Sequence, residues 1–276
     1  SSSATVNGNR YVGGLVGRNY LISRSVTNAA AGGSIYGYGT VGSLIGWNDR
    51  GLVDNSHTDG FVTGWKNISG LIGHNNGIVS KSYSLGEVDG ERVVGGIVGW
   101  NNGTIKESYG SANVNGIEDV GGLVGWSSKV VENSYATGNV NGSKNIGGLI
   151  GATRGSVRDS YSTGNVSGNT SIGGLIGWNK KTVRDSYSTA KVSGDTYVGG
   201  LVGHNYIYSS LIDNSYAKGG VDGTVNVGGL VGWNDRGTVD NSYSDNLVNG
   251  VKNVSCLVGW NRGTVSLSNA TGIVNG

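Results

Sequence analysis

The sequence predicts an all-β solenoid, a β-helix of about ten 26-residue coils with three short strands in each. Three observations carry the prediction. One motif recurs at a nearly fixed spacing, every copy divides into short strand-like pieces, and no stretch shows the 3.6-residue apolar period of a helix.

The motif starts as VGGLVGRN at Val12 and returns as VGSLIGWN, ISGLIGHN, VGGIVGWN, VGGLVGWS, IGGLIGAT, IGGLIGWN, VGGLVGHN, VGGLVGWN and VSCLVGWN. Its Leu/Ile marker falls at Leu15, Leu44, Leu71, Ile97, Leu123, Leu149, Leu175, Leu201, Leu230 and Leu257, at spacings of 29, 27, 26, 26, 26, 26, 26, 29 and 27. Such regularity defines a repeat protein, and the whole chain, 1–276, reads as one repeat-built body. The aliphatic segment is followed by a turn and a second segment, as in Thr182 to Ser188, and then by a brief xVxG, as in Asn165 to Gly168. Each piece is rich in Val, Ile, Thr and Tyr and bounded by Gly or Asn, the pattern of strands and turns. The 54 glycines weigh further against helix. The five or so aliphatic side chains of one unit cannot offset the cost of ordering it, so a unit is stable only when stacked on others. Ten coils at about 4.8 Å per strand spacing make a stack on the order of 50 Å tall.

Stacking turns each position of the repeat into a column. A serine column is expected at Ser25, Ser56, Ser82, Ser108, Ser134, Ser160, Ser186, Ser215, Ser242 and Ser268. Tyrosine follows it in seven copies, including Tyr109, Tyr135, Tyr161 and Tyr187, and a variable polar residue precedes it. Strand alternation then turns the serines inward and the tyrosines outward. Val12, Leu15 and Val16 head three columns that are aliphatic throughout, although Leu15 and Val16 would face opposite sides of one strand. Either the coil folds over this strand, or one face packs on other protein. Next come a tryptophan column, with Trp47, Trp100, Trp126, Trp178, Trp233 and Trp260, and an asparagine column beside it. Arg18, His74, Ala152 and His204 occupy the tryptophan position elsewhere, so the column reads as a stacked, partly exposed corner. Asparagine suits the left-handed conformations and side-chain-to-backbone bonds of a tight corner.

Gly14-Leu15-Val16-Gly17 and its nine echoes resemble the GLUG repeat, named for its Gly-Leu-any-Gly core. The likeness extends along essentially the whole chain; copies three and ten depart from it at Ser69 and at Ser255-Cys256. It implies the repeat region of a large secreted or cell-surface protein of bacteria or archaea, adhesin-like or immunoglobulin A peptidase-like. In such proteins the repeats generally lie outside the catalytic domain, so no catalytic residue carries over.

The residues themselves agree with a non-catalytic role. A formal charge of +2 gives no reason to expect nucleic acid, and no apolar run approaches a membrane span. Cys256 is alone, which excludes an internal disulfide, and it reads as a small buried residue. His57, His74 and His204 are too scattered for a metal site, and no cofactor motif is present. The best acidic column, Glu107, Asn133, Asp159 and Asp185, runs beside Lys106, Glu132, Arg158 and Arg184, a sign-mixed solvated face. Aromatic ladders offer the alternative of stacking on sugar rings, with Trp100, Trp126, Trp178, Tyr109, Tyr135, Tyr161 and Tyr187 as candidates. Sequons such as those at Asn67, Asn102, Asn141 and Asn253 allow surface glycosylation. Insertions are expected at Asn28 to Thr40 and Tyr206 to Leu211, and neither carries clustered acids or histidines.

The function expected from the sequence is a structural or adhesive extracellular rod, a stalk, fibre or surface-interaction module. The alternative is a solenoid that binds or cleaves carbohydrate through its aromatic or acidic ladders. No cofactor and no metal are implied. The expected partners are further repeats, other domains, or other copies of the chain end to end or side by side, with glycans as a further candidate. Neither end of the sequence carries a recognisable cap, so association through the ends is expected.

Overall fold

The computed structural model describes residues 2–20 and 24–276, and they form a parallel β-solenoid of about ten coils. Every strand pairs in parallel with its equivalent one coil away, giving one sheet of 25 short strands and two of ten. A central coil shows the path. Glu118–Gly121 lies in the large sheet and Val124–Ser127 in the second; Val131–Glu132 lies in the third. Tyr135–Ala136 and Val140–Asn141 then return to the large sheet. The large sheet thus takes more than one segment from each coil.

The double burial of the VGGLVG segment has a simple cause. The segment is two strands: the chain bends at its Gly-Leu pair, and the bend resets the in/out alternation. Ile146 and its column pack in one core cluster with Val140 and Val166. Leu149 and Ile150, beyond the bend, pack in the other with Val131 and Val157. Each leucine amide in the bend donates to the leucine carbonyl of the next coil, as Leu149 does to Leu175 at 2.9 Å, so the ladder runs through the bend unbroken. The aliphatic columns are therefore satisfied within the chain, which removes the lateral contact that they suggested.

One contact sets the spacing of the two layers. The glycine after Leu-Val is Gly in all ten copies. In nine of them a Cβ would lie 2.4–2.7 Å from a backbone atom of the preceding coil; at Gly151 the atoms are the Asp119 carbonyl carbon and the Val120 nitrogen, both at 2.5 Å. No side chain fits there. The contacted column is itself unusual, because Tyr11, Thr40, Asn67, Val93, Asp119, Asn145, Ser171, Tyr197, Asn226 and Asn253 all have φ between 54° and 59°.

A second left-handed column precedes the serines: Asn28, Asn55, Lys81, Glu107, Asn133, Asp159, Asp185, Asn214, Asn241 and Leu267, with φ from 44° to 52°. This explains the acidic column. Asn and Asp tolerate the left-handed corner better than other side chains do, and Glu107, Asp159 and Asp185 are exposed corner residues. Their basic neighbours pair elsewhere, Arg158 with Glu132 and Arg184 with Asp213.

The serine column points inward as expected. Ser134 and Ser160 are buried, and each serine Oγ accepts a backbone N–H from the preceding coil at about 3.2 Å while donating to the carbonyl two residues back. Its first member differs from the expectation: Ser25 pairs with Leu52 in the third sheet, and Ala29 stands opposite Ser56. The register also moves the first insertion. Asn28 to Thr40 matches Asn55 to Asn67 residue for residue. The extra residues fall between Asn19 and Ser25, where 21–23 lie outside the described residues, as does Ser1 in the tyrosine column. The second insertion stands where expected, between Asn205 and Leu211, and holds Tyr208 out in solvent.

The asparagine column lies in the second sheet and not in left-handed corners. Asn48, Asn75, Asn205 and Asn234 are fully buried, each Nδ2 donating to the next Asn Oδ1 at 2.8–2.9 Å, and Ser127 and Thr153 interrupt the run. Cys256, in the final coil, is only half-buried.

Two substitutions test these constraints. Gly151→Ala should cost about 3 kcal/mol, because backbone must move to admit the methyl. Glu107→Asn, at an exposed left-handed site, should raise stability by about 0.5–1 kcal/mol. Denaturant midpoints at unchanged slope would check both.

Candidate ligand-binding groove

The contact that excludes a side chain also makes a groove. Beyond the tight glycine, the next residue of the second-sheet strand turns outward, and this is the tryptophan position. The left-handed column lies across from it. The tryptophans thus form one wall of a furrow along the stack, with the left-handed residues and their neighbours opposite.

Two clefts open along it. The first, about 570 Å³, lies between Trp47, His74 and Trp100 on one side and Tyr38 and Trp65 on the other. Arg10, Lys66, Gly39 and Asn67 complete it. Trp47 and His74 stack at 4.0 Å, and Tyr38 and Trp65 at 5.0 Å. The second, about 440 Å³, lies where the tryptophan column is broken by Ala152, between Trp126 and Trp178, and reaches His204 and Trp233.

Several polar atoms in these clefts are buried without a hydrogen-bond partner: Nε1 of Trp47, Trp100 and Trp233, Oδ1 of Asn67 and Nε2 of His204. Buried polar groups normally find partners, so leaving these unpaired is a cost that the stacked aromatic column carries. Burial pushes the His204 imidazole down to about 4, although the Asp235 carboxylate opposes the shift, and burial lowers His74 too. Burial also raises Asp119, while Glu118 beside it is held low by its hydrogen bond to Lys144 and by Arg92.

The residues singled out by sequence separate into two sites. Trp100 lines the first cleft; Trp126 and Trp178 line the second. Tyr109, Tyr135, Tyr161 and Tyr187 line neither. They stack on one another at 4.8–5.0 Å and within 4° of parallel, so each ring face within the run is covered by a neighbouring tyrosine and only edges remain for a ligand. Trp100 and Trp126 stack likewise at 4.1 Å. Sequence reasoning missed Tyr38, Trp65 and the two cations. The signal was available: Trp65 is the one tryptophan outside the column, and it lies 27 residues after Tyr38. Among the described residues no group of three His, Cys, Asp or Glu is placed to hold a metal ion, and no helix is long and apolar enough to cross a membrane.

The GLUG motif matches residues 116–141, 142–167, 194–222 and 223–249. These segments are whole coils of the solenoid, and the strand register carries the same unit into the coils on either side. No curated protein and no solved structure matches the chain.

The depressed histidines make the fold acid-sensitive. A group whose folded pKa lies below its ordinary 6.5 contributes stability that is complete above 6.5 and is lost as pH falls toward 4. The loss at His204 should reach up to about 3 kcal/mol. Urea midpoints measured at pH 7 and pH 4.5 should differ less in His204→Trp, which installs the side chain usual for the column.

Proposed function

We propose that this chain is a structural and adhesive rod that works outside the cell, as a stalk, fibre or surface-interaction module, and that it is not an enzyme. The observation that supports this best is the uniformity of the stack. Core columns, serine rungs and aromatic ladders repeat in one register through the central coils, which gives a stiff body with a repeating surface. The GLUG repeat is consistent with a surface location. The acids that suggested chemistry are accounted for by backbone conformation.

A stack about 48 Å tall is short for a stalk, so reach depends on continuation through its ends. The last coil has core-column side chains uncovered: Val265 and Val274 are exposed, although their partners one coil before, Val239 and Val248, are fully buried. Further repeats or a second copy of the chain would cover them, and a head-to-tail contact that does not close builds filaments.

The test combines assembly, adhesion and turnover. Over about a hundredfold range of concentration, sedimentation should show end-to-end association, and immobilised chain should be retained on cell or glycan surfaces. Release of new reducing ends from polysaccharides would overturn the reading, as would a strictly monomeric chain that is retained on no surface.

A further inference from the structure

We propose that the first cleft binds a carboxylate-bearing sugar unit of an acidic polysaccharide. The inference rests on the reading of the chain as an interaction module and adds the ligand.

The argument begins with a missing side chain. Arg10, Gly39 and Lys66 occupy one column in three successive coils. A Cβ on Gly39 would meet no heavy atom within 4 Å, so the glycine leaves open space where its neighbours carry cations. Arg10 and Lys66 therefore flank a notch one coil high, two strand spacings or about 10 Å apart. Neither forms an ion pair among the described residues, and no carboxylate lines the cleft. Asp49, the acid nearest His74, accepts a hydrogen bond from Asn76. Elsewhere in this column the cations are paired: both Arg92 and Lys144 bind Glu118. The notch is thus a place built for one negative group that the chain does not supply.

The walls say what else the ligand carries. Tyr38 stacks on Trp65 on one side, but on the other it meets the register position of Asn9, which has no ring, and it is 59% exposed. Its open face borders the notch and suits the apolar face of a pyranose. Asn9, Thr40 and Asn67 also line the cleft, and their side chains both donate and accept, as sugar hydroxyls do. The cleft also opens along the furrow, so a linear chain of sugars can run beside the coils.

The probe is the tetramer of galacturonic acid, titrated into the full chain and followed by calorimetry and by tryptophan fluorescence. Binding is expected, and it should weaken as salt is raised. The methyl-esterified tetramer and Arg10→Gln/Lys66→Gln should each bind about tenfold more weakly, the loss of a charge-assisted contact. Gly39→Gln, which fills the notch without a clash, should abolish binding while leaving the unfolding midpoint unchanged. Tyr161→Ala, in the tyrosine ladder, should bind normally. Equal affinity for acid and ester would overturn the proposal, as would a Gly39→Gln chain that binds like the parent. Absence of binding would overturn it too, and if assembly and surface retention persisted, the rod reading would stand alone. Cleavage of the tetramer with notch-dependent binding would support this ligand class and overturn the non-enzymatic reading instead.

Discussion

The fold depends on a contact between two stretches of backbone. In each coil the second-sheet strand lays a glycine against the peptide that follows a left-handed residue of the coil before. At Gly177 and Gly232 a Cβ would sit 2.5 Å from that peptide. Only glycine allows the approach, and only a left-handed corner presents the peptide flat to it. The corner has its own cost, because even β-branched Thr40 and Val93 are held there. The strain persists because stacking repeats it: every coil is held by the one before and holds the one after. Gly39 can vary without consequence for the stack; the glycine of the second sheet cannot.

Around that contact the polar groups are arranged so that stacking, and not folding of a single coil, satisfies them. Asn75 donates to Asn101, and Ser82 accepts its rung from Ser56. These bonds join neighbouring coils, so an isolated coil would keep only its local bonds, such as Ser82 to the Ser80 carbonyl and Asn75 to the Gly77 carbonyl. The aliphatic columns work in the same sense, as Ile150 packs within a cluster drawn from many coils. Interior polar ladders thereby fix register: a slip of one residue would leave every serine and asparagine facing the wrong group.

Most of the fold was legible because a repeat reports the same environment ten times. The serine column identified its inward face, and the tyrosines their outward one, from variation alone. What was not legible is what a linear pattern cannot encode. The bend at Gly148-Leu149 splits an unbroken apolar run into two strands, and the run looks the same either way. Backbone conformation was hidden as well. Asp159 and Asp185 carry charge in the sequence, yet their type answers to a φ near 49°. Ser25 misled because the first coil replaces a serine by Ala29 and an unrelated serine happened to lie close by. For the groove, the tryptophan column pointed to one wall, but the facing wall is built of residues from columns with no repeating side chain.

That asymmetry is general for a body made of copies. A column that repeats without exception is explained by the stack itself, whatever its chemistry; seven stacked tyrosines need no ligand to account for them. An exception needs a separate reason. Tyr38, Gly39 and Trp65 stand in columns that vary from coil to coil, and they meet in one cleft with Arg10 and Lys66. Ala152 breaks the tryptophan column in another, between Trp126 and Trp178. Packing does not call for the glycine of the first cleft, since a longer side chain at Gly39 would clash with nothing. In a solenoid the regular columns hold the structure, and specific recognition falls to the places where they fail.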